Sequence, residues 1–301
     1  MMENANGRAR SVEQFIALQG RMAPPVGEET GYKPYAPQPG DVFITSWAKS
    51  GTTLMQQMFH QLRTADRGGD MDFDDISRVL PWNDTAEMLG FDMTAPQPAM
   101  PRGFKSHRHY EGLPAGMRYI VSLREPKDTF VSFYRFMNGW HIEDGAIPMA
   151  EFLPIWMSGG PGGVDYFTHL LSWWNRRNQT DTLLTTYRAV VQDRPAAIRG
   201  MAQFLGLEVT SEALAMIEQR TSREFMFEHK DRFDDAMVCA MMERRVGIPA
   251  ASDSTKVQAQ GSDPEMIPAQ VADAIDAMWA QRIAPVTGHT GFAALEAELA
   301  D

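Results

Sequence analysis

The stretch covering residues 41–58 constrains the chain most, because a short apolar run is followed at once by a small polar loop and an amphipathic pattern. Residues 42–44 have the composition of a buried strand. Beyond the loop, apolar side chains recur at the spacing of one helix face. They are Leu54, Met55, Met58, Phe59 and Leu62. The order of strand, polar turn and helix predicts the start of an α/β fold.

The polar loop has the composition of an anion site. It is made of Lys49, Ser50, Gly51, Thr52 and Thr53. Backbone N–H groups at a helix N-terminus point at a bound anion, and the lysine adds a full positive charge. The spacing differs from a Walker A loop, because the lysine precedes the glycine. We therefore expect a phosphate or sulfate here; a capped helix start with an incidental lysine is the alternative.

Further strands and helices alternate along the chain. Strands are predicted at residues 118–123 and 182–187, and helices at 12–22, from 126 onward, at 166–174, from 193 onward and at 211–220. Alternation of this kind predicts a single α/β domain over residues 1–301, with a mainly parallel central sheet flanked by helices. Residues 1–38 are rich in proline and should be largely irregular, while residues 264–301 should form a C-terminal helical segment.

Composition excludes several classes of partner. Hydrophobic residues make up 44% of the chain, which supports a full core, and the net charge of −11 argues against nucleic acid or an anionic membrane as the main partner. The single cysteine, Cys239, cannot form an intramolecular disulfide. With no long apolar run and no cluster of ligand residues at metal spacing, we expect a cytoplasmic protein without stable membrane insertion and without a metal.

The loop also resembles a known family. Lys-Ser-Gly-Thr-Thr is similar to the 5′-phosphosulfate loop of the cytosolic sulfotransferases, which usually reads Tyr-Pro-Lys-Ser-Gly-Thr-Thr-Trp; Ala48 and Leu54 replace the proline and the tryptophan. The resemblance extends from about residue 39 to 261 and implies the sulfotransferase fold. It also implies transfer of a sulfuryl group from 3′-phosphoadenosine 5′-phosphosulfate (PAPS) to a hydroxyl or amine of a small acceptor. We expect a bacterial member of this family.

Several cofactor-binding residues follow from the resemblance. Arg124 at a strand end and Ser132 in the next helix match the family's Arg-x-x-x-Asp-x-x-x-Ser, which binds the 3′-phosphate of the nucleotide. An arginine fork with a hydroxyl suits a phosphate monoester, although Arg124 could instead pair with a neighbouring carboxylate. Tyr187, Thr221 and Ser222 correspond to residues that contact the adenine.

Lys105 and His107 lie two residues apart on an extended segment, where they would face the same side. A pair of this kind is more often a surface feature, but here it resembles the family's Lys-Thr-His, in which the histidine is the general base. The resemblance implies that His107 removes the acceptor proton. Lys49 would neutralise the leaving phosphate, and Lys105 would assist at the sulfuryl oxygens.

Three residues are expected at the acceptor. Trp82 follows Pro81 in a segment similar to the family's pocket wall, Trp140 lies in a long loop over residues 137–164, and His169 lies on a helix ending in Trp-Trp. Trp82 could equally be a surface tryptophan and His169 a core histidine. The abundance of Met, Trp and Phe in these segments favours an apolar or aromatic acceptor.

The C-terminal part departs most from the family. The usual Arg-Lys-Gly-x-x-Gly-Asp-Trp is replaced by residues 258–263, which keep Gly261 but lack the basic pair; Lys256, or Arg244 with Arg245, could substitute. The family's C-terminal dimer motif is absent, so an oligomer is left open. Two alternatives therefore stand beside the sulfotransferase: a weak or inactive nucleotide-binding homologue, and a nucleotide-dependent phosphotransferase.

Overall fold

The computed structural model describes residues 7–25, 28–257 and 267–300. Within these residues, helices cover both faces of a four-stranded sheet. The strands are β1 (Val42–Thr45), β2 (Gly103–Ser106), β3 (Arg118–Leu123) and β4 (Thr182–Thr186). The helices are α1 (Val12–Gly20), α2 (Thr52–Arg63), α3 (Ile76–Val79), α4 (Ala86–Leu89), α5 (Pro126–Met137), α6 (Met149–Ser158), α7 (Tyr166–Trp174), α8 (Tyr187–Gln192), α9 (Arg194–Leu205), α10 (Ser211–Arg220), α11 (Arg223–Glu228), α12 (Ala236–Val246), α13 (Ala269–Met278), α14 (Ala284–Thr287) and α15 (Phe292–Ala300).

The sheet has the order β2-β1-β3-β4, and all its strands are parallel. In register, Val42 of the central β1 pairs with Gly103 of β2 and with Arg118 of β3. Because side chains alternate along a strand, β1 and β3 contribute to two separate cores. Ile44 and Ile120 pack with α2, α9 and α10, whereas Phe43 packs on the face covered by α5, α6 and α7. The predicted α/β fold with a parallel sheet is confirmed.

The carboxyl ends of the strands bring the candidate residues together. The polar loop follows β1, His107 follows β2, Arg124 follows β3 and Tyr187 follows β4. Parallel strands end at the same edge of a sheet, and ligands of open α/β sheets bind at that edge. The loop is fastened there by Ser46, whose Oγ accepts a hydrogen bond of 3.1 Å from the backbone N–H of Ser122 on β3.

Most predicted elements agree closely with the structure, and α6 is the main exception. The segment over residues 137–164 was expected to be a loop, but it contains a helix with Pro154 in its interior. Phe152 and Trp156 on this helix are fully buried. The burial of these two side chains in the aromatic core outweighs the cost of a proline inside the helix. The sequence pattern shows the proline but not this burial.

A buried ion pair joins the residue that precedes β1 to the residue that precedes β2. Arg102 donates to both carboxylate oxygens of Asp41, at 2.8 and 2.6 Å, and both side chains are almost completely inaccessible to solvent. Asp41 also accepts from the hydroxyl of Tyr35 and the backbone N–H of Gln38. The Asp41 carboxylate therefore depends on Arg102 for its counter-charge and for two of its four hydrogen bonds.

We predict that Arg102→Ala lowers the free energy of unfolding by about 3–5 kcal/mol, because it leaves the buried Asp41 charge unpaired. Arg78→Ala is the matched control, since Arg78 pairs with Asp74 at the surface, and its loss should cost less than about 1 kcal/mol. Urea unfolding of both variants followed by circular dichroism measures the difference. Equal stability of the two variants would contradict the structural role of the buried pair.

Candidate active site

A cavity of about 710 Å³ opens at the carboxyl edge of the sheet. It collects most of the residues that the sequence singled out, from six different segments of the chain. Those that line it are Lys49, Gly51, Thr52, Thr53, Trp82, Lys105, His107, Arg124, Ser132, Trp140, Tyr187 and Thr221. Residues predicted for the nucleotide, for catalysis and for the acceptor therefore share one cavity.

Three predicted residues do not line this cavity, and the position of a fourth is not described. Ser50 is buried beneath the loop, with its side-chain oxygen enclosed. Ser222 accepts a hydrogen bond from Phe225 N and so caps α11. His169 is buried on α7, where its ring faces Trp173. Gly261 lies outside the described residues.

The loop after β1 depends on two residues with left-handed backbone. Lys49 has φ 67°, and Gly51, which precedes α2, has φ 97°. A Cβ at Gly51 would lie 2.7 Å from Cδ2 of Tyr187 and 3.3 Å from Oγ of Ser122. Both the dihedral angle and this close approach therefore require glycine. A lysine held in the left-handed region stores strain of a kind often found at ligand-binding sites.

The start of α2 is suited to an anion. No side chain caps this helix, so the N–H groups of its first turn are available to a ligand. The hydroxyl oxygens of Ser50 and Thr52 are buried and have no hydrogen-bond partner among the described residues. Buried polar atoms normally have partners. A phosphate or sulfuryl group bound at this turn would supply an acceptor for the hydroxyl of Thr52, which lines the cavity.

Lys49 and Arg124 are held together at this turn. Arg124 donates from Nη1 to the backbone oxygen of Lys49 at 2.9 Å, and its guanidinium lies 4.9 Å from the ring centroid of Tyr187. The Nζ of Lys49 lies 4.2 Å from the ring centroid of Phe136. Burial, followed by repulsion from Lys256 and Arg124, lowers the pKa of Lys49 to about 7. No carboxylate of the described residues forms an ion pair with Lys49.

His107 is fixed in one orientation. Its Nδ1 lies 2.7 Å from the backbone oxygen of Ser46, so Nδ1 carries the proton and donates, while Nε2 is left as an acceptor. Its backbone N–H donates to Asp84, which also accepts from Trp82 and Ser106. Burial, assisted by the charge of Lys105, lowers the pKa of His107 well below its usual value. The imidazole is therefore neutral at pH 7 and able to take up a proton.

Two lysines beside His107 share one buried carboxylate. Asp235 Oδ1 lies 3.7 Å from Nζ of Lys105, and Asp235 Oδ2 contacts Nζ of Lys256. Lys105 also packs over Trp82, with Nζ 3.4 Å from the ring centroid. Burial lowers the pKa of Lys105, whereas Asp235 outweighs burial at Lys256 and raises its pKa. This cluster places positive charge next to His107.

Sequence reasoning missed part of this arrangement. Asp84 and Asp235 line the cavity, yet neither was predicted: Asp84 lies two residues after Trp82 in the pocket-wall segment, and Asp235 comes from a segment with no motif around it. Lys256 also lines the cavity, as one of the two suggested replacements for the basic pair. The other replacement is wrong in this structure, because Arg245 forms a bidentate pair with Glu28 at 3.0 Å and neither it nor Arg244 lines the cavity.

Comparison with known proteins identifies the family. A model of the sulfotransferase domain matches residues 39–252, which is more than two thirds of the chain. The chain belongs to the sulfotransferase family. The match begins just before β1 and includes the loop, His107, Arg124 and Ser132. The bacterial source stays a prediction.

Several curated proteins are similar over the same region. Sulfotransferase 6B1 of Danio rerio is 25% identical over 200 residues, covering 64% of this chain and 65% of that protein, just under two thirds of its length. Sulfotransferase 1B1 of Mus musculus is 28% identical over 202 residues, covering 64% of this chain and 67% of that protein. Sulfotransferase 4A1 of Homo sapiens is 26% identical over 204 residues, covering 64% and 70%.

Solved structures support the fold. Retinol dehydratase in complex with androsterone and the inactive cofactor PAP, 3′-phosphoadenosine 5′-phosphate, has a TM-score of 0.65 at 16% identity, covering 82% of each chain. A mouse sulfotransferase, SULT7A1, complexed with PAP has a TM-score of 0.61 at 20% identity, covering 87% of this chain and 91% of that one. The predicted sulfotransferase fold is confirmed.

The described residues contain neither a helix that could span a membrane nor a cluster of metal-ligating side chains. Across residues 7–25, 28–257 and 267–300, every helix is too short or too polar to span a bilayer. In the same ranges, histidine, cysteine and carboxylate side chains form no group of three or more that could hold a metal ion. Cys239 is buried on α12, with its Sγ 3.2 Å from Oγ of Ser254.

The pKa of Lys49 leads to a prediction about nucleotide binding. A bound polyanion stabilises the charged lysine, so PAP binding should take up protons, and its affinity should fall as pH rises from 7 to 9. Calorimetry in buffers of different ionisation enthalpy measures both effects. Lys49→Arg should reduce the pH dependence, because a guanidinium stays charged throughout this range. An affinity that is constant from pH 7 to 9, without proton uptake, would contradict the buried-lysine account.

Proposed function

We propose that this sulfotransferase moves the sulfuryl group of PAPS to a hydroxyl or amine of a small, mainly apolar or aromatic acceptor. The supporting observation is the single cavity in which an uncapped helix start, Arg124 with Ser132, and His107 all meet. PAP is bound in related structures of the same fold. For this chain, PAPS as co-substrate is an inference from the family and from these charges.

The nucleotide would bind across the carboxyl edge of the sheet. Its 5′-phosphosulfate would accept from the backbone N–H groups of Thr52 and Thr53 and from the hydroxyl of Thr52, with Lys49 as counter-charge. Its 3′-phosphate would lie between Arg124 and Ser132. The adenine would lie near Tyr187, Thr221 and Ser222; Arg223, which also lines the cavity, offers a guanidinium plane to the base.

Catalysis would rest on position and charge rather than on a covalent intermediate. Nε2 of His107 takes the proton of the acceptor as the acceptor oxygen or nitrogen bonds to sulfur. The bond from sulfur to the bridging oxygen breaks, and both of its electrons leave with PAP. Lys49 stabilises the charge on that oxygen, while Lys105 and Lys256 face the sulfuryl oxygens.

The acceptor would occupy the apolar part of the cavity. Side chains on or next to α1, α4, α5, α6 and α12 form this wall, and most of them are methionines or aromatic residues. They are Phe15, Met22, Met88, Phe133, Met137, Trp140, Ile155, Val238 and Met241. Trp82 packs edge-on against His107, with ring centroids 5.2 Å apart, and would bound the reacting end. Methionine-rich walls adapt to varied shapes, which favours apolar alcohols and phenols.

Transfer of radiolabelled sulfate from PAPS to a panel of phenols, alcohols and amines tests this function. We predict transfer by the native protein and a loss of about 10²–10⁴-fold in turnover for His107→Ala, because the proton acceptor is removed. PAP binding by this variant should change little. His289→Ala is the control, since His289 pairs with Glu298 and does not line the cavity.

The other outcomes separate the alternatives. Near-native turnover by His107→Ala would overturn the assignment of the base. PAP binding without transfer to any acceptor would indicate an inactive nucleotide-binding homologue. Phosphoryl transfer from a nucleoside triphosphate, without sulfate transfer, would indicate the phosphotransferase.

A further inference from the structure

Two adjacent side chains in the cavity wall carry hydrogen-bonding nitrogens without a partner. Trp140 and His141 both line the cavity, and each is only 4% exposed. Nε1 of Trp140 and Nε2 of His141 are buried and make no hydrogen bond to any described residue. The two rings lie next to each other, with centroids 4.4 Å apart and planes at 80°. An orphaned pair of this kind is uncommon in a folded protein.

Both nitrogens are donors. An indole N–H can only donate. For His141, the amide Nε2 of Gln19 lies 3.1 Å from Nδ1 and can only donate, so Nδ1 accepts. Burial lowers the pKa of His141 to about 3, so the ring is neutral and its one proton lies on Nε2. Two residues of the cavity wall therefore carry buried N–H groups without an acceptor, and a ligand that satisfies them must bring an acceptor atom.

The surroundings of these donors are apolar. Phe136 packs against Trp140 at 5.0 Å between centroids, and Phe15 of α1 lies 6.4 Å from His141. Phe136 also contacts Lys49, so the donors stand one aromatic ring away from the proposed nucleotide site. In such surroundings a hydrogen bond to a neutral oxygen discriminates strongly against a group that cannot accept one.

We propose that the acceptor carries a second oxygen, remote from the group that receives the sulfuryl, which accepts hydrogen bonds from Trp140 and His141. The inference rests on the proposed function and specifies its substrate class: apolar alcohols or phenols with a distant ketone, ester or ether oxygen, in preference to pure hydrocarbons. Gln19, which sets the His141 tautomer, and Phe15 precede the region matched by the family model. Residues before the matched domain would thus contribute to the choice of acceptor.

Matched acceptor pairs test the proposal. Each pair differs only in one remote ketone, replaced by CH₂: androsterone and its analogue without the ketone, and para-alkylphenols with and without a ketone at successive chain positions. The best-placed ketone should be preferred by about tenfold in kcat/KM, the effect of one satisfied buried donor. Titration of the same pairs into the protein–PAP complex measures the preference without requiring turnover.

Variants distinguish the two donors from general packing. Trp140→Phe keeps an aromatic ring but removes the N–H, so the preference for the ketone should fall toward equal use of the pair, and adding His141→Phe should abolish it. Trp156→Phe is the matched control. Trp156 also has a buried, unpartnered Nε1 but does not line the cavity, so its variant should retain the preference. Because the readout is a ratio within one variant, partial loss of folded protein cancels.

The outcomes separate this inference from the proposed function. Sulfation of both members of every pair at equal efficiency would overturn the subsite and leave the sulfotransferase function standing. Tighter binding of ketones to the PAP complex without any sulfation would support the subsite and refute the function. Equal binding together with no sulfation would overturn both. A preference that survives the double variant would also refute the assignment to Trp140 and His141.

Discussion

The site depends on a left-handed turn between β1 and α2. Lys49 and Gly51 adopt positive φ values there, and the turn delivers an uncapped helix start, two enclosed hydroxyls and a lysine to the edge of a parallel sheet. Gly51 is confined by Tyr187 and Ser122, so the turn is packed against the ends of β3 and β4, which Arg124 and Tyr187 follow. One backbone geometry thereby links the anion site to the whole carboxyl edge of the sheet.

Electrostatics connects this turn to the reaction. The cavity holds the side chains of Lys49, Lys105, Lys256 and Arg124, against a carboxylate at Asp235. Burial lowers the pKa values of Lys49 and Lys105 and so disfavours their charged forms, and a bound polyanion would favour them again. His107 belongs to the same cluster, because burial and the nearby charge of Lys105 lower the pKa of its imidazole, while Ser46 and Asp84 fix its direction. The positive side chains of the cavity repel one another, and a strongly anionic co-substrate would stabilise them together.

The sequence predicted what depends on local pattern and missed what depends on distant packing. The strand, loop and helix around Gly51 were readable because glycine, hydroxyls and apolar periodicity lie close together in the chain. α6 was missed because its stability comes from Phe152 and Trp156 in an aromatic core. Asp235 and Gln19 were missed for the same reason, since only folding brings them to the cavity. Lys256 was one of two open suggestions, and only three-dimensional proximity decided between them.

The central claim is that one nucleotide spans the turn after β1 and the groups that follow β3, with His107 beside the transferred sulfuryl. A crystal structure with PAP bound tests this most directly. The account predicts the 5′-phosphate on the N–H groups of Thr52 and Thr53 beside Lys49, and the 3′-phosphate within hydrogen-bond distance of Arg124 and Ser132. It also predicts that Nε2 of His107 faces the open space next to the 5′-phosphate. PAP bound elsewhere, or with its 3′-phosphate away from Arg124, would contradict the account.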